Sequence, residues 1–161
     1  MNKKIKVLII DDSAIIRKTL TDILNRDPEI EVVGTVVDAI FAMKRIENSN
    51  PDVLTLDVNM PHMDGLTFLK ELMKKRPMPV VMVSTETREG GEATLKALST
   101  GAVDFVTKPS NVKITDIRGF SQTLTEKVKT AYEARNKISL QKTRAQAPKP
   151  APTKPGPGKT P

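Results

Sequence analysis

The sequence predicts an α/β fold, a doubly wound five-stranded parallel sheet with helices on both faces, on three observations. Five short runs rich in Val, Ile and Leu recur along the chain, at Lys3 to Ile10, Glu29 to Val36, Val53 to Leu56, Pro79 to Val83 and Ala102 to Thr107. After each run, apolar residues return at the three- and four-residue spacing of an amphipathic helix. Four of the runs end abruptly on a charged or hydroxyl residue, namely Asp11, Asp57, Ser84 and Lys108. Strictly alternating strands and helices imply right-handed crossovers, and therefore parallel strands buried on both faces.

Each element has a local reason. Val7-Leu8-Ile9-Ile10 is continuously apolar and stops at Asp11-Asp12-Ser13. Ile15, Ile16, Leu20, Ile23 and Leu24 then follow at helical spacing, with Asp12 or Ser13 as N-cap and Asp27-Pro28 as the stop. The second strand, Glu29 to Val36, alternates less cleanly. Its helix, about Asp38 to Glu47, is expected to turn Ile40, Phe41, Met43 and Ile46 inward, and Asn48 to Pro51 returns the chain. Val53 to Leu56 suits a central strand, and a helix from about Gly65 to Lys75 is closed by Pro77. Pro79 to Val83 is the fourth strand. Its helix runs through Leu95 and Leu98 to Gly101, a natural C-terminal glycine. Ala102 to Thr107 leads, through Lys108-Pro109, to a last helix from about Ile117 to Ile138 with Leu124, Val128, Ala131 and Tyr132 inward.

Composition narrows the classes of function. With no cysteine, disulfides, thiolate metal sites and cysteine nucleophiles are excluded. No apolar run approaches the roughly 20 residues that span a bilayer, and Met1-Asn2-Lys3-Lys4 leads directly into a strand, so the expectation is a cytoplasmic protein without membrane insertion. The net charge of +7 would suit nucleic acid, but five of those charges (Lys142, Arg144, Lys149, Lys154, Lys159) lie beyond Ile138 with no acid among them, which leaves +2 for the rest. Six of the twelve prolines also fall between Pro148 and Pro161. Residues 1–138 are therefore expected to form one domain and 139–161 a Pro/Lys-rich linker or tail, with no nucleic acid as partner.

The chemistry concentrates at strand ends. In a parallel sheet the residues that follow the strands share one edge, which is where open α/β sheets bind ligands. Asp57 ends the buried run Val53 to Leu56 and is followed by a turn marked by Pro61 and Asp64-Gly65. Taken alone it reads as a turn carboxylate. Asp11 and Asp12 end the first strand, where helix capping is the ordinary role for such a pair. If the two strands are neighbours, three carboxylates converge, and a hard divalent cation resolves their repulsion, with Mg2+ the best fit to few protein ligands and several waters. Lys108 reaches the same edge and would pair with an incoming anion, a phosphoryl group above all. Ser84 adds a hydroxyl there, its alternative being a cap or turn.

The order and placement of Asp11, Asp12, Asp57, Ser84 and Lys108, together with Met60-Pro61, Asp64-Gly65 and Lys108-Pro109, resemble the response-regulator receiver domain of two-component signalling over about Lys4 to Ile138. The resemblance implies the flavodoxin-like strand order 2-1-3-4-5, of which chemotaxis receivers are the standard example. It further implies that Asp57 accepts a phosphoryl group from a histidine kinase, that Asp12, Asp57 and the backbone carbonyl of Asn59 hold Mg2+, and that Asp11 acts through water. Phosphorylation is then expected to draw in the Ser84 hydroxyl and let Phe105 turn into the space it leaves.

A narrower resemblance rests on Pro51 to Val58, Met63 to Leu69, Arg76 to Ser84 and Gly101 to Pro109, which look like the regulatory half of chemotaxis protein-glutamate methylesterases. It implies a chemotaxis histidine kinase, a methylesterase effector domain and chemoreceptors as partners. Asn59 departs from the glutamate expected in many members, and the rate of phosphoryl loss is expected to differ. His62, the sole histidine, lies in the loop after Asp57, and without a second histidine and a serine elbow no serine–histidine–aspartate triad is expected within these residues. Gly156 to Thr160 is not a nucleotide loop, because position 153 is Thr and proline interrupts the run. The competing expectation is a stand-alone receiver acting as an adaptor, with the basic tail on an acidic partner or nucleic acid.

Overall fold

The structure, a computed structural model, describes residues 3–58, 60, 63–84, 92–108 and 114–146. In chain order the elements are β1 (Ile5–Ile10), α1 (Ala14–Asn25), β2 (Ile30–Val36), α2 (Ala39–Ser49), β3 (Val53–Asp57), α3 (Gly65–Lys75), β4 (Val80–Ser84), α4 (Glu92–Thr100), β5 (Asp104–Thr107) and α5 (Ile114–Gln146). The five strands are all parallel, in the order β2-β1-β3-β4-β5. The expected alternation and strand order are both observed.

The sheet separates two apolar layers. On one face Leu8, Ile10, Leu54, Leu56 and Val80 meet Ala42 and Ile46 of α2, Phe68, Leu69 and Leu72 of α3, and Ala97 of α4. On the other, Val7, Ile9, Val53, Val81 and Val83 meet Leu20, Ile23 and Leu24 of α1 and Phe120, Leu124, Val128 and Ala131 of α5. Odd and even residues of one strand thus serve opposite layers, as the pleat requires. Every residue of β3 and β4 is buried. Burying each such Val or Leu side chain is worth about 1.5–3 kcal/mol, so truncating the middle of β3 would disturb both layers.

Local signals explain the helix ends. Ser13, rather than Asp12, caps α1, its hydroxyl accepting from the Ile16 N–H. Asp38 caps α2 through the Ile40 N–H, and Asp64 caps α3 through the Thr67 N–H. Gly101 ends α4 with φ +136°, a conformation that favours glycine, and a Cβ there would also strike Met73. The turn before β4 and the α4 stop fall as expected.

Two expectations fail. Ile40 and Phe41 do not face inward; they are 58% and 61% exposed, and the face that α2 buries consists of Ala39, Ala42 and Ile46. The cap at Asp38 sets the phase of the helix, and small alanines let it lie close on the sheet, which places the bulkier pair outside the contact. The last helix also begins earlier than Ile117 and continues past Ile138 to Gln146. Neither Gly nor Pro occurs between Lys137 and Gln146 to stop it. Among the described residues no helix is long and apolar enough to cross a membrane.

Candidate functional site

β1 and β3 are neighbours, and Ile10 stands opposite Leu56 in their register. The residues that follow, Asp11 and Asp57, therefore leave the sheet side by side. Carboxylate oxygens of Asp11, Asp12 and Asp57 all lie within 4.8 Å of one another. Asp11 and Asp57 are buried at 1% and 2% exposure, whereas Asp12 is exposed. Two of the three acids are thus shielded from water and the third opens the group to it.

Lys108 enters from the end of β5. Its backbone N–H donates to the Ser84 carbonyl at 2.7 Å, and its Nζ lies 2.9 Å from Asp11 Oδ2 and 3.2 Å from Asp57 Oδ1. Burial works against its charge, but the hydrogen bond and the field of Asp11, with those of Asp57, outweigh that and hold its pKa above the ordinary lysine value. The ammonium is accordingly a permanent cation at neutral pH. It offsets one of three negative charges, leaving the group two negative in formal charge, the deficit one divalent cation would fill.

The loop that carries Asp11 is held from several sides. Asp11 N–H donates to Val36 O at 3.0 Å, its Oδ1 accepts from Ser13 N–H at 2.9 Å, and its carbonyl accepts from Arg17 Nη1 at 2.8 Å. Asp11 Oδ2, by contrast, meets the Lys108 ammonium at 2.9 Å and has no other polar partner among the described residues. A buried carboxylate oxygen with lone pairs to spare suits a cation or a water on one. All-oxygen donors of this kind fit Mg2+. Asn59, expected to add its backbone carbonyl, lies outside the described residues, as do His62 and Pro109.

Glycine at position 65 closes the Asp57 loop. Gly65 N–H donates to Val58 O at 2.8 Å, and a Cβ on Gly65 would stand 2.1 Å from the Asp57 carbonyl oxygen, far inside any contact distance. Ser84 is the last residue of β4, buried at 6% exposure, and stands opposite Thr107 next to Lys108. Phe105 is half-buried on β5, opposite Met82. The structure thus gathers Asp11, Asp12, Asp57 and Lys108 at one point, with Ser84 beside them on the same edge.

Residues 7–117 match the response regulator receiver domain family. The chain belongs to this family. It is 56% identical over 133 residues to a protein-glutamate methylesterase/protein-glutamine glutaminase of Nitrosomonas europaea, covering 83% of this chain and 37% of that protein. A protein of the same description from Burkholderia pseudomallei is 57% identical over 136 residues, covering 84% and 37%. The chain therefore spans little more than a third of the length of these curated relatives. Among solved structures, the response regulator domain of Thermotoga maritima CheB superposes with a TM-score of 0.75 at 42% identity, covering 81% of this chain and 98% of that one. A chain of the CheX–CheY–BeF3–Mg2+ complex of Borrelia burgdorferi gives 0.67 at 28% identity, covering 81% and 90%. This is a receiver of the methylesterase type.

Sequence reasoning overlooked two basic residues of this receiver. Arg17 braces the Asp11 carbonyl from α1. Lys127 of α5 contacts both Asp104 and Phe105. A lysine or arginine on a helix reads as a solvated charge, and only the packing of that helix on the sheet aims it at a partner.

Proposed function

We propose that this receiver is controlled by phosphorylation at Asp57, with a chemotaxis-type histidine kinase as donor, and that in the cytoplasm it regulates a methylesterase effector domain acting on chemoreceptors. The observation that carries the reading is the buried Asp57 carboxylate 3.2 Å from Lys108 Nζ, inside a group of three acids. An Asp57 oxygen forms a bond to phosphorus as the phosphorus–nitrogen bond of phosphohistidine breaks, and the electron pair returns to the imidazole. Water later cleaves the acyl phosphate, restoring the carboxylate and releasing phosphate.

Mg2+, held by Asp12, Asp57 and the Asn59 carbonyl with Asp11 acting through water, would offset the charge on the phosphoryl oxygens. The Borrelia burgdorferi complex, which contains BeF3, a phosphoryl stand-in, and Mg2+ together with a chain related to this one, supports both parts of this reading. Lys108 Nζ, already between Asp11 and Asp57, is placed to pair with an oxygen of the new group. Ser84 then moves its hydroxyl toward that group, and Phe105 on the neighbouring strand turns into the vacated space, a local change of charge read out by packing.

Incubation with acetyl phosphate and Mg2+, followed by mass spectrometry of the intact chain and its peptides, tests the assignment. The expected result is one phosphoryl group at Asp57, absent from Asp57→Asn. A phosphoryl group at another residue, or undiminished uptake by Asp57→Asn, would overturn it.

A further inference from the structure

Lys127 stands on α5 and touches the residue proposed to read out phosphorylation. Its Nζ donates to the Phe105 carbonyl at 2.7 Å and to Asp104 Oδ1 at 3.0 Å, and lies 5.0 Å from the centre of the Phe105 ring. Asp104 Oδ1 also accepts from the Phe105 N–H at 2.8 Å. One ammonium and one carboxylate thus grip the backbone of Phe105, and the same ammonium lies against its ring. The side chains of Lys127 and Asp104 are 29% and 35% exposed, so this is a partly desolvated contact rather than a freely solvated charge.

The two kinds of contact respond differently when the ring turns. The hydrogen bonds to the Phe105 carbonyl and to Asp104 belong to the strand and persist. The ring contact depends on the side-chain setting and is lost as the ring swings away. We infer that Lys127 is a positioning residue for Phe105, holding its ring in the unphosphorylated setting through a cation–π contact, so that the charge at position 127 sets how readily the switch turns. A cation–π contact of this exposure amounts to about a two- to fivefold bias between settings. By linkage, whatever favours the turned setting should also favour phosphorylation at Asp57. The inference rests on the proposed coupling between Asp57 and Phe105, but the ring contact itself is measurable without any phosphoryl group.

Lys127→Met keeps an apolar stem and removes the charge, while Lys127→Arg keeps the charge. Aromatic NMR of the full chain carrying 4-fluorophenylalanine, with the Phe105 signal assigned by substitution, reports the ring setting in each. In the unphosphorylated state Lys127→Met should raise the population of the second setting by about two- to fivefold, and Lys127→Arg should restore the original spectrum. Asp104→Asn, which loosens the ammonium's anchor, should shift the signal in the same direction by less. At sub-saturating acetyl phosphate and fixed Mg2+, the phosphorylated fraction of Lys127→Met should rise above that of the original chain. A Phe105 signal identical in the original chain and in Lys127→Met would overturn the inference, as would equal shifts in the Met and Arg variants, which would mark a steric effect. If acetyl phosphate labels nothing at Asp57, the proposed function fails while the unphosphorylated spectra still decide the role of Lys127.

Discussion

A lysine between two acids occurs at both edges of this sheet, with different consequences. At the carboxyl edge Lys108 Nζ lies 2.9 Å from Asp11 and 3.2 Å from Asp57, and all three side chains are 8% exposed or less. At the opposite edge Lys129 Nζ lies 2.7 Å from Asp27 and 3.2 Å from Glu29, with the lysine 33% and the glutamate 67% exposed. The distances nearly match. Water screens the second trio, which ties α5 to the turn between α1 and β2 and does little else. The first trio is cut off from water, so its charges act on one another at low dielectric and on whatever anion or cation arrives. Burial, not the identity of the charges, separates a chemical site from a surface staple.

Removing Lys108 should break the comparison most sharply. Lys108→Met leaves two buried carboxylates without their cation, and such a loss costs on the order of 3 kcal/mol at neutral pH. Urea denaturation at pH 7 measures that loss. In the unaltered chain Lys108 binds its proton more tightly folded than unfolded. Its stabilising contribution is therefore whole below the ordinary lysine value of 10.5 and disappears as pH climbs through the higher folded value. Lys108→Met should lack that alkaline limb. A variant as stable as the parent at pH 7 would show that Asp11 and Asp57 are not buried anions.

Asp12→Asn sharpens the comparison more gently, because Asp12 is the exposed member of its group. Ser13 caps α1, so the substitution spares the helix. Relief of repulsion across solvated space is worth about 1 kcal/mol at most, and the metal-free chain should melt slightly higher. Mg2+ stabilises the folded state only by binding it, so the same variant should lose most of the Mg2+-dependent rise in Tm. Thermal melts of both proteins with and without millimolar-scale Mg2+ measure the two effects. An unaltered chain indifferent to Mg2+ would remove the case for a metal here.

The smallest effect belongs to Lys129→Ala, expected to lower Tm barely beyond detection and to lose even that at high salt. Burial raises the pKa of Asp27, but hydrogen bonds from Lys129 and the Glu29 N–H, with the lysine's charge, outweigh it and leave the carboxyl below its ordinary value of 3.8. The resulting stabilisation is present above 3.8 and lost as pH falls through the lower folded value. Lys129→Ala should flatten that acid limb. A destabilisation rivalling that of Lys108→Met would erase the distinction between the two edges.

Much of this was legible from residue order. The alternation of apolar strands and periodic helices, the stop residues Asp11, Asp57, Ser84 and Lys108, the turn before α3 and the stop at Gly101 all depend on near neighbours in the chain, and they fall where a local reading places them. Asp12 and Ser13 were equally good caps on that reading, and only the backbone geometry chose Ser13. Ile40 and Phe41 misled because apolar residues next to a helical stripe look inward until the cap fixes the rotation of the helix.

By itself, then, the sequence determined the parallel α/β layering and the set of charged residues at the strand ends, since the periods of 2 and 3.6 and the cost of burying polar groups operate within a few residues. Three things waited on the tertiary structure. The pairing of β1 with β3 brings Asp11 beside Asp57. The burial of Lys108 between them separates it from Lys129. The packing of α5 against β5 lays Lys127 on Phe105. Each joins residues more than 20 positions apart in the chain, and at such separations only the folded chain sets distance and dielectric, on which the strength of a charge depends.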